Sequence, residues 1–303
     1  GNKAEKILQS ESGYDNTLND GGNGTDAVLQ FAEKYFPNLT RTNDSTDAFG
    51  RPANEWKYRS QIIGSYTDYS DLQASYEGTK APMGELYSLI GGSIVDELTP
   101  AGNRDGEYSF TVYVDGEEVD DPVVGNYFVK NSSAAAGTKN AIGKGDNVGQ
   151  SGNGVLTEVF MDDDNNVTIT MVNTYLVQAT ADYNSTKENI TVEPIDFDET
   201  TTPTGYVNLV LPNLDTTISQ DDFDVEGVKE DDYLLVTWSY KDDCYVSVEP
   251  ATMKTGEVSQ YTVRDNVVVD GETLKYNKLV GSDEQSEEFS INSQATLVLD
   301  QYG

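Results

Sequence analysis

The apolar positions fall into short runs, and their spacing changes along the chain. Near the start the spacing is helical. Thr25-Asp26 can cap residues 27–36, Val28, Phe31, Ala32 and Tyr35 then share one face, and Pro37 stops the helix. A second short helix is predicted over 84–90, ended by Gly91-Gly92. Strand spacing takes over elsewhere. Trp56 and Tyr58 alternate with charged neighbours, and 108–114 alternates before the turn signal Asp115-Gly116. Beyond a Gly- and Asn-rich stretch at 136–154, nearly every apolar run reads as sheet. Runs at 155–161 and 167–177 flank a polar tip, Asp162-Asp163-Asp164-Asn165-Asn166, which predicts a long hairpin. Further strands are predicted at 206–211, 233–240, 245–248, 257–263, 267–269, 273–276 and 295–299, with Asp270-Gly271 as a hairpin turn. The fold class expected is mainly β, with antiparallel sheets, a small α+β N-terminal part and a C-terminal small barrel or sandwich. The expected division is an α+β domain at 1–150, a β-hairpin-rich domain at 151–227 and a small barrel or sandwich at 228–303.

Composition narrows the chemistry. The 303 residues include 53 acidic and 19 basic side chains, a formal charge of −34. The acidity is uneven: residues 1–154 carry 12 basic and 23 acidic groups, net −11, and 155–303 carry 7 and 30, net −23. Such a field repels nucleic acid and anionic lipid, so no nucleic-acid partner is expected. There is no histidine and one cysteine, Cys244. That excludes Ser-His-Asp and Cys-His sites, imidazole zinc ligands, thiolate metal cages and internal disulfides. No apolar run approaches the roughly 20 residues of a membrane-spanning helix. The chain opens on Gly1 and reads as a segment of a longer polypeptide, so the lack of a targeting signal carries no information.

Candidate sites are few, and each has a plainer reading. Residues 21–28 fit one copy of a calcium-binding nonapeptide, a motif that works by stacking turns; a loop leading into a helix cap explains them as well. Asp162, Asp164 and Asn166 are the candidate ligands for weak calcium binding. The spacing is not that of an EF-hand, because positions six and twelve counted from Asp162 are Val167 and Asn173 rather than Gly and Glu. A solvated hairpin tip is the simpler account. The clusters at 221–224 and 230–232 are of the same kind. No cofactor is required by anything in the chain. With 53 acidic residues, some carboxylate pair falls at a glycosidase-like separation by chance, and no sequence context singles one out. Trp238 sits in Leu234, Val236, Trp238, Tyr240 at period two, which predicts a core face. Tyr66, Tyr69 and Tyr76 are read as exposed near a loop. They are the candidates for stacking on glycans, with an ordinary protein interface as the alternative. Acidic neighbours make Cys244 an unreactive thiol.

Several segments resemble one family. Asp47-Ala48-Phe49-Gly50-Arg51-Pro52 followed by Trp56-Lys57-Tyr58, residues 154–160 running into the Asp162 hairpin, and Val172-Asn173-Thr174-Tyr175 are similar to large surface-layer proteins of Gram-positive anaerobes. So are residues 230–233, 254–258 and 297–303, in the same order. The resemblance is to the non-anchoring region of proteins with surface-layer-homology domains. It implies an extracellular location on the bacterial cell surface or cell wall. It implies partners that are other copies or other cell-envelope proteins, and supplies no catalytic residue. The reading that follows is a non-enzymatic structural segment, with a glycan- or host-binding adhesin module as the alternative.

Overall fold

The computed structural model describes residues 36–76, 109–118, 155–195, 214–277 and 288–303. Among these the chain is all β, in four sheets with no helix. The expected helices at 27–36 and 84–90, the strand at 206–211 and the stretch at 136–154 lie outside the described residues, apart from Phe36, which sits in the loop before the first strand.

The first sheet is a meander of β1 (Leu39–Thr46), β2 (Pro52–Tyr58) and β3 (Gln61–Thr67). Leu39 and Trp56 are buried together, with Phe36, Ile63 and Tyr66 packed against them. Tyr58, one pleat further along from Trp56, is exposed at the end of its strand.

The second sheet contains β4 (Leu72–Tyr76), β5 (Ser109–Val114), β6 (Glu117–Glu118), β7 (Val155–Met161) and β8 (Asn166–Asn173), in the order β4-β7-β8-β5-β6. The predicted hairpin is β7–β8, with the Asp162 turn at its tip. β5 lies parallel to β8, the one parallel pairing in these four sheets. The expected single strand over 167–177 is two strands. β8 ends at Asn173, Thr174 turns the chain, and β9 (Tyr175–Ala179) begins in a different sheet.

That third sheet adds β10 (Asn189–Pro194), β11 (Thr217–Ser219), β12 (Tyr233–Ser239) and β13 (Cys244–Pro250), in the order β11-β10-β9-β12-β13. Its buried face follows the pleat: Tyr175, Val177 and Ala179; Ile190 and Val192; Leu234, Val236 and Trp238. Leu214, Val225 and Val228 close over this face from the loops around β11. Trp238 meets Tyr245 edge-on, centroids 5.0 Å apart, as expected of a core tryptophan.

The fourth sheet is β14 (Thr252–Thr262), β15 (Asn266–Val269), β16 (Glu272–Lys275) and β17 (Gln294–Leu299), in the order β16-β15-β14-β17. β14 changes partner midway. Thr252 to Glu257 pairs with β17 and Val258 to Thr262 with β15, so the sheet curls into a half-barrel over Val258, Val267, Val269 and Leu274. Asp270 and Gly271 form the predicted turn, with φ of 50° and 81°.

Strand pairing runs across both expected divisions. The second sheet joins strands from both sides of 150/151, and the third joins strands from both sides of 227/228. Burial of each sheet requires partners distant in sequence, which charge asymmetry and glycine content do not register. Within 228–303, β12 and β13 belong to the third sheet and β14 to β17 form the fourth.

Candidate functional site

Polar side chains from several elements converge where the first three sheets meet. They come from the loop from β1 to β2, from Glu158 on β7, from the hairpin between β5 and β6, from the corner at Asn173 and Thr174, and from the end of β12 with the turn beyond it.

The loop from β1 to β2 is Asp47-Ala48-Phe49-Gly50-Arg51. Asp47 shapes it: Oδ1 accepts the backbone N–H of Phe49 and of Arg51, each at 2.9 Å. Oδ2 accepts the Thr67 hydroxyl at 2.7 Å and the Arg51 guanidinium at 3.3 Å. Gly50 has φ 83°, and an added Cβ would lie 2.2 Å from the ring of Tyr113 on β5. Only glycine lets the loop lie this close to the second sheet. Arg51 then reaches that sheet, its Nε donating to Glu158 Oε2 at 2.5 Å. The side chains of Arg51 and Glu158 are 12% and 6% exposed. Burial works against the guanidinium charge, but Glu158 and Asp47 outweigh it and hold Arg51 above its ordinary value.

The hairpin between β5 and β6 brings in Asp115, which is 0% exposed. Its Oδ1 accepts the Asn173 N–H at 2.7 Å; its Oδ2 accepts Asn173 Nδ2 at 2.9 Å and the Tyr175 hydroxyl at 2.6 Å. Burial pushes the Asp115 carboxyl up to about 6, against the downward pull of those hydrogen bonds. Burial and the adjacent Asp115 hold the Tyr175 hydroxyl well above its ordinary value. Ser239, at the end of β12, donates to the Ala48 carbonyl at 2.6 Å. Lys241 donates to the carbonyls of Thr46 and Asp47 at 2.7 and 3.0 Å, so the third sheet also grips the loop. Gln301 donates from the C-terminal end to the Thr174 hydroxyl.

Of the sequence candidates, Tyr69 lies beside the Arg51, Glu158 and Asp47 groups, and the Asp162 turn lies elsewhere. At the β7–β8 tip, Asp162 Oδ1 accepts the N–H groups of Asp164 and Asn166, at 2.9 and 2.8 Å, and Oδ2 accepts Asn166 Nδ2 at 2.8 Å. Its carboxylate is therefore the acceptor of a turn, with an amide donor facing it. Burial is the largest single influence and acts upward, but the three hydrogen bonds together outweigh it and lower the Asp162 pKa. Among the described residues no group of three or more His, Cys, Asp or Glu is placed to hold a metal ion. Residues 21–28 lie outside the described residues.

The three tyrosines do not form one exposed platform. Tyr66 is half-buried against the Leu39–Trp56 cluster of the first sheet. Tyr69 is half-buried beyond β3, its ring 6.1 Å from Phe160 of the second sheet. Tyr76 ends β4 opposite Thr157, and its side chain lies outside the description. The reading of Tyr66 and Tyr69 as exposed is thus corrected: each is half-buried against side chains of a sheet.

Cys244 is exposed. Partial burial and then Asp242, Asp222, Asp243 and Asp215 raise its thiol pKa, the direction expected from its neighbours. Sequence reasoning missed Asp115 and Glu158. Asp115-Gly116 reads as a solvent-facing turn, and Glu158 as one acid among 53. The segments Asp47–Arg51 and Asn173–Tyr175 supply the partners of both, and nothing in the spacing of the two acids themselves marks them. Compared with known family models, with curated proteins and with solved structures, the chain has no match.

Proposed function

We propose that this chain is a non-enzymatic, extracellular structural segment of a surface-layer-type cell-envelope protein, presenting its surfaces for assembly with other copies or other envelope proteins. One observation supports it above the others. The segments that carry the family resemblance, Asp47–Arg51 and Asn173–Tyr175, direct their polar groups inward to tie successive sheets together. Side chains used this way stiffen a molecule along its length. They are consumed by the fold rather than held ready for a substrate. The charge of −34 fits the same role, because it opposes uncontrolled pairing of the open sheet edges.

The test is electron microscopy and surface labelling of the intact parent protein. An ordered array, labelled on whole cells by antibody raised to this chain, is the expected result. A parent protein retained inside the cell refutes the reading. So does turnover of any substrate by the purified chain that one carboxylate substitution abolishes. Binding on a glycan array, lost on substituting Tyr66 or Tyr69, would redirect the assignment to an adhesin module.

A further inference from the structure

The buried carboxyl of Asp115 occupies an unusual position. It sits at a hairpin turn, where aspartate normally meets water, yet it is 0% exposed. Its residue joins two sheets through backbone and side chain together. Its N–H donates to the Met171 carbonyl of β8 at 2.8 Å, and its carbonyl accepts the Tyr240 N–H beyond β12 at 2.8 Å. Its carboxyl accepts from Asn173 at the end of β8 and from Tyr175 at the start of β9. The next residue, Gly116, packs so closely that an added Cβ would lie 2.1 Å from the Ala48 carbonyl oxygen.

Among the described residues, no cation is paired with the carboxyl. Tyr175 faces it from β9 and Tyr240 from the turn beyond β12, and Glu117 of β6 acts on Tyr240. Lys241 in the same turn directs its ammonium to Thr46 and Asp47. From the loop between β1 and β2, Arg51 pairs with Glu158 and Asp47. A dry carboxylate without a counter-ion is destabilised by several kcal/mol, and three donors offset only part of that. Asn173 can serve either protonation state. In the present orientation its Nδ2 donates to the carboxylate, while its Oδ1 is buried without a partner. Turning the amide over presents that oxygen to an O–H on the same carboxyl.

We propose that Asp115 is a proton-operated latch between the second and third sheets, which holds the β5–β6 hairpin to the β8–β9 corner more firmly as an uncharged acid than as a carboxylate. The carboxyl's rise from 3.8 to about 6 agrees with this geometry. Because the folded value lies above the unfolded one, the folded chain holds the proton more tightly between those two pH values. Stability therefore falls as pH rises through that window and is level beyond it. The junction tightens as the medium acidifies from neutrality toward pH 5.

The other carboxylates titrate as well, so the test compares two proteins rather than two pH values. Asp115→Asn, in the full 303-residue chain, mimics the acid and cannot ionise. The unfolding equilibrium of each protein is measured in urea at pH 7.5 and pH 5. The expected result is that the ratio of the two folding constants changes by about tenfold between these pH values, with the wild type gaining on acidification. A ratio that stays constant overturns the proposal. A second measurement needs no variant. Carbon NMR of the unmodified chain labelled at aspartate should show one side-chain carboxyl, assigned to Asp115, with its midpoint near pH 6. An Asp115 resonance that titrates below pH 4.5 also overturns it.

Discussion

Removing the Arg51 guanidinium tests the junction most directly. Arg51→Met keeps much of the side chain's bulk and deletes the charge facing Glu158. Glu158 is then 6% exposed in a site built for an ion pair. Leaving one member of a buried pair uncompensated costs about 3–5 kcal/mol. An independent route gives a similar figure. The stranded glutamate can escape by taking up a proton, and neutralising an ordinary glutamate at pH 7 costs about 3.7 kcal/mol. Loss of the guanidinium from the Phe49 face, 5.2 Å away, adds about 0.5–1 kcal/mol. Asp47 adds little, because it keeps the Thr67 hydroxyl and two backbone N–H groups. The expected destabilisation is therefore about 4 kcal/mol at pH 7, shrinking as pH falls toward 5 and Glu158 takes up its proton. Urea unfolding reports it through the two tryptophans, Trp56 in the first sheet and Trp238 in the third. The double variant Arg51→Met with Glu158→Gln should recover more than half of the loss, because the buried carboxylate charge is gone. A loss under about 1 kcal/mol in the single variant, or no recovery in the double, refutes the account of a buried, inter-sheet ion pair.

Other outcomes follow from the same geometry. Gly116 and Gly271 have nearly equal φ, 86° and 81°, but an added Cβ would meet the Ala48 carbonyl at the first and open space at the second. Gly271→Ala should cost only the backbone term of about 1 kcal/mol, and Gly116→Ala at least about 2 kcal/mol more; equal losses in urea would show that Gly116 is not in close contact. Cys244 should react with a disulfide reagent at pH 7.5 more slowly than a free cysteine does, because burial and four aspartates raise its pKa. A faster reaction would contradict that environment. The Asp162 turn should be fully formed above the ordinary carboxylate pKa and open as pH falls through its lowered folded value, seen as loss of protection at the Asn166 amide. Millimolar calcium should leave that protection unchanged, since binding would require Asn166 to leave the carboxylate; a calcium-dependent shift there would support the metal reading.

The strands and turns of this protein were legible in the order of its residues because they rest on short-range physics. Alternation at period two marks the Leu234–Trp238 face, and the Asp270-Gly271 turn follows from the ease with which those residues adopt positive φ. The β7–β8 hairpin and its Asp162 tip are local for the same reason. The poverty in histidine and cysteine likewise settled, without any structure, which reactive sites the chain cannot build. Tertiary structure alone decided the rest. Thr174 divides an apolar run that looks continuous, because Tyr175 finds its core in a sheet completed some 60 residues later by Val236 and Trp238. Asp115 is buried and Glu158 is paired because strands from distant parts of the chain close over them, and Gly50 matters because Tyr113 lies against it. Local propensity selects a conformation for a few neighbouring residues. Which surfaces then lose their water depends on pairings across more than a hundred positions, and those pairings, not the neighbours, determine the charge state and partners of a buried side chain.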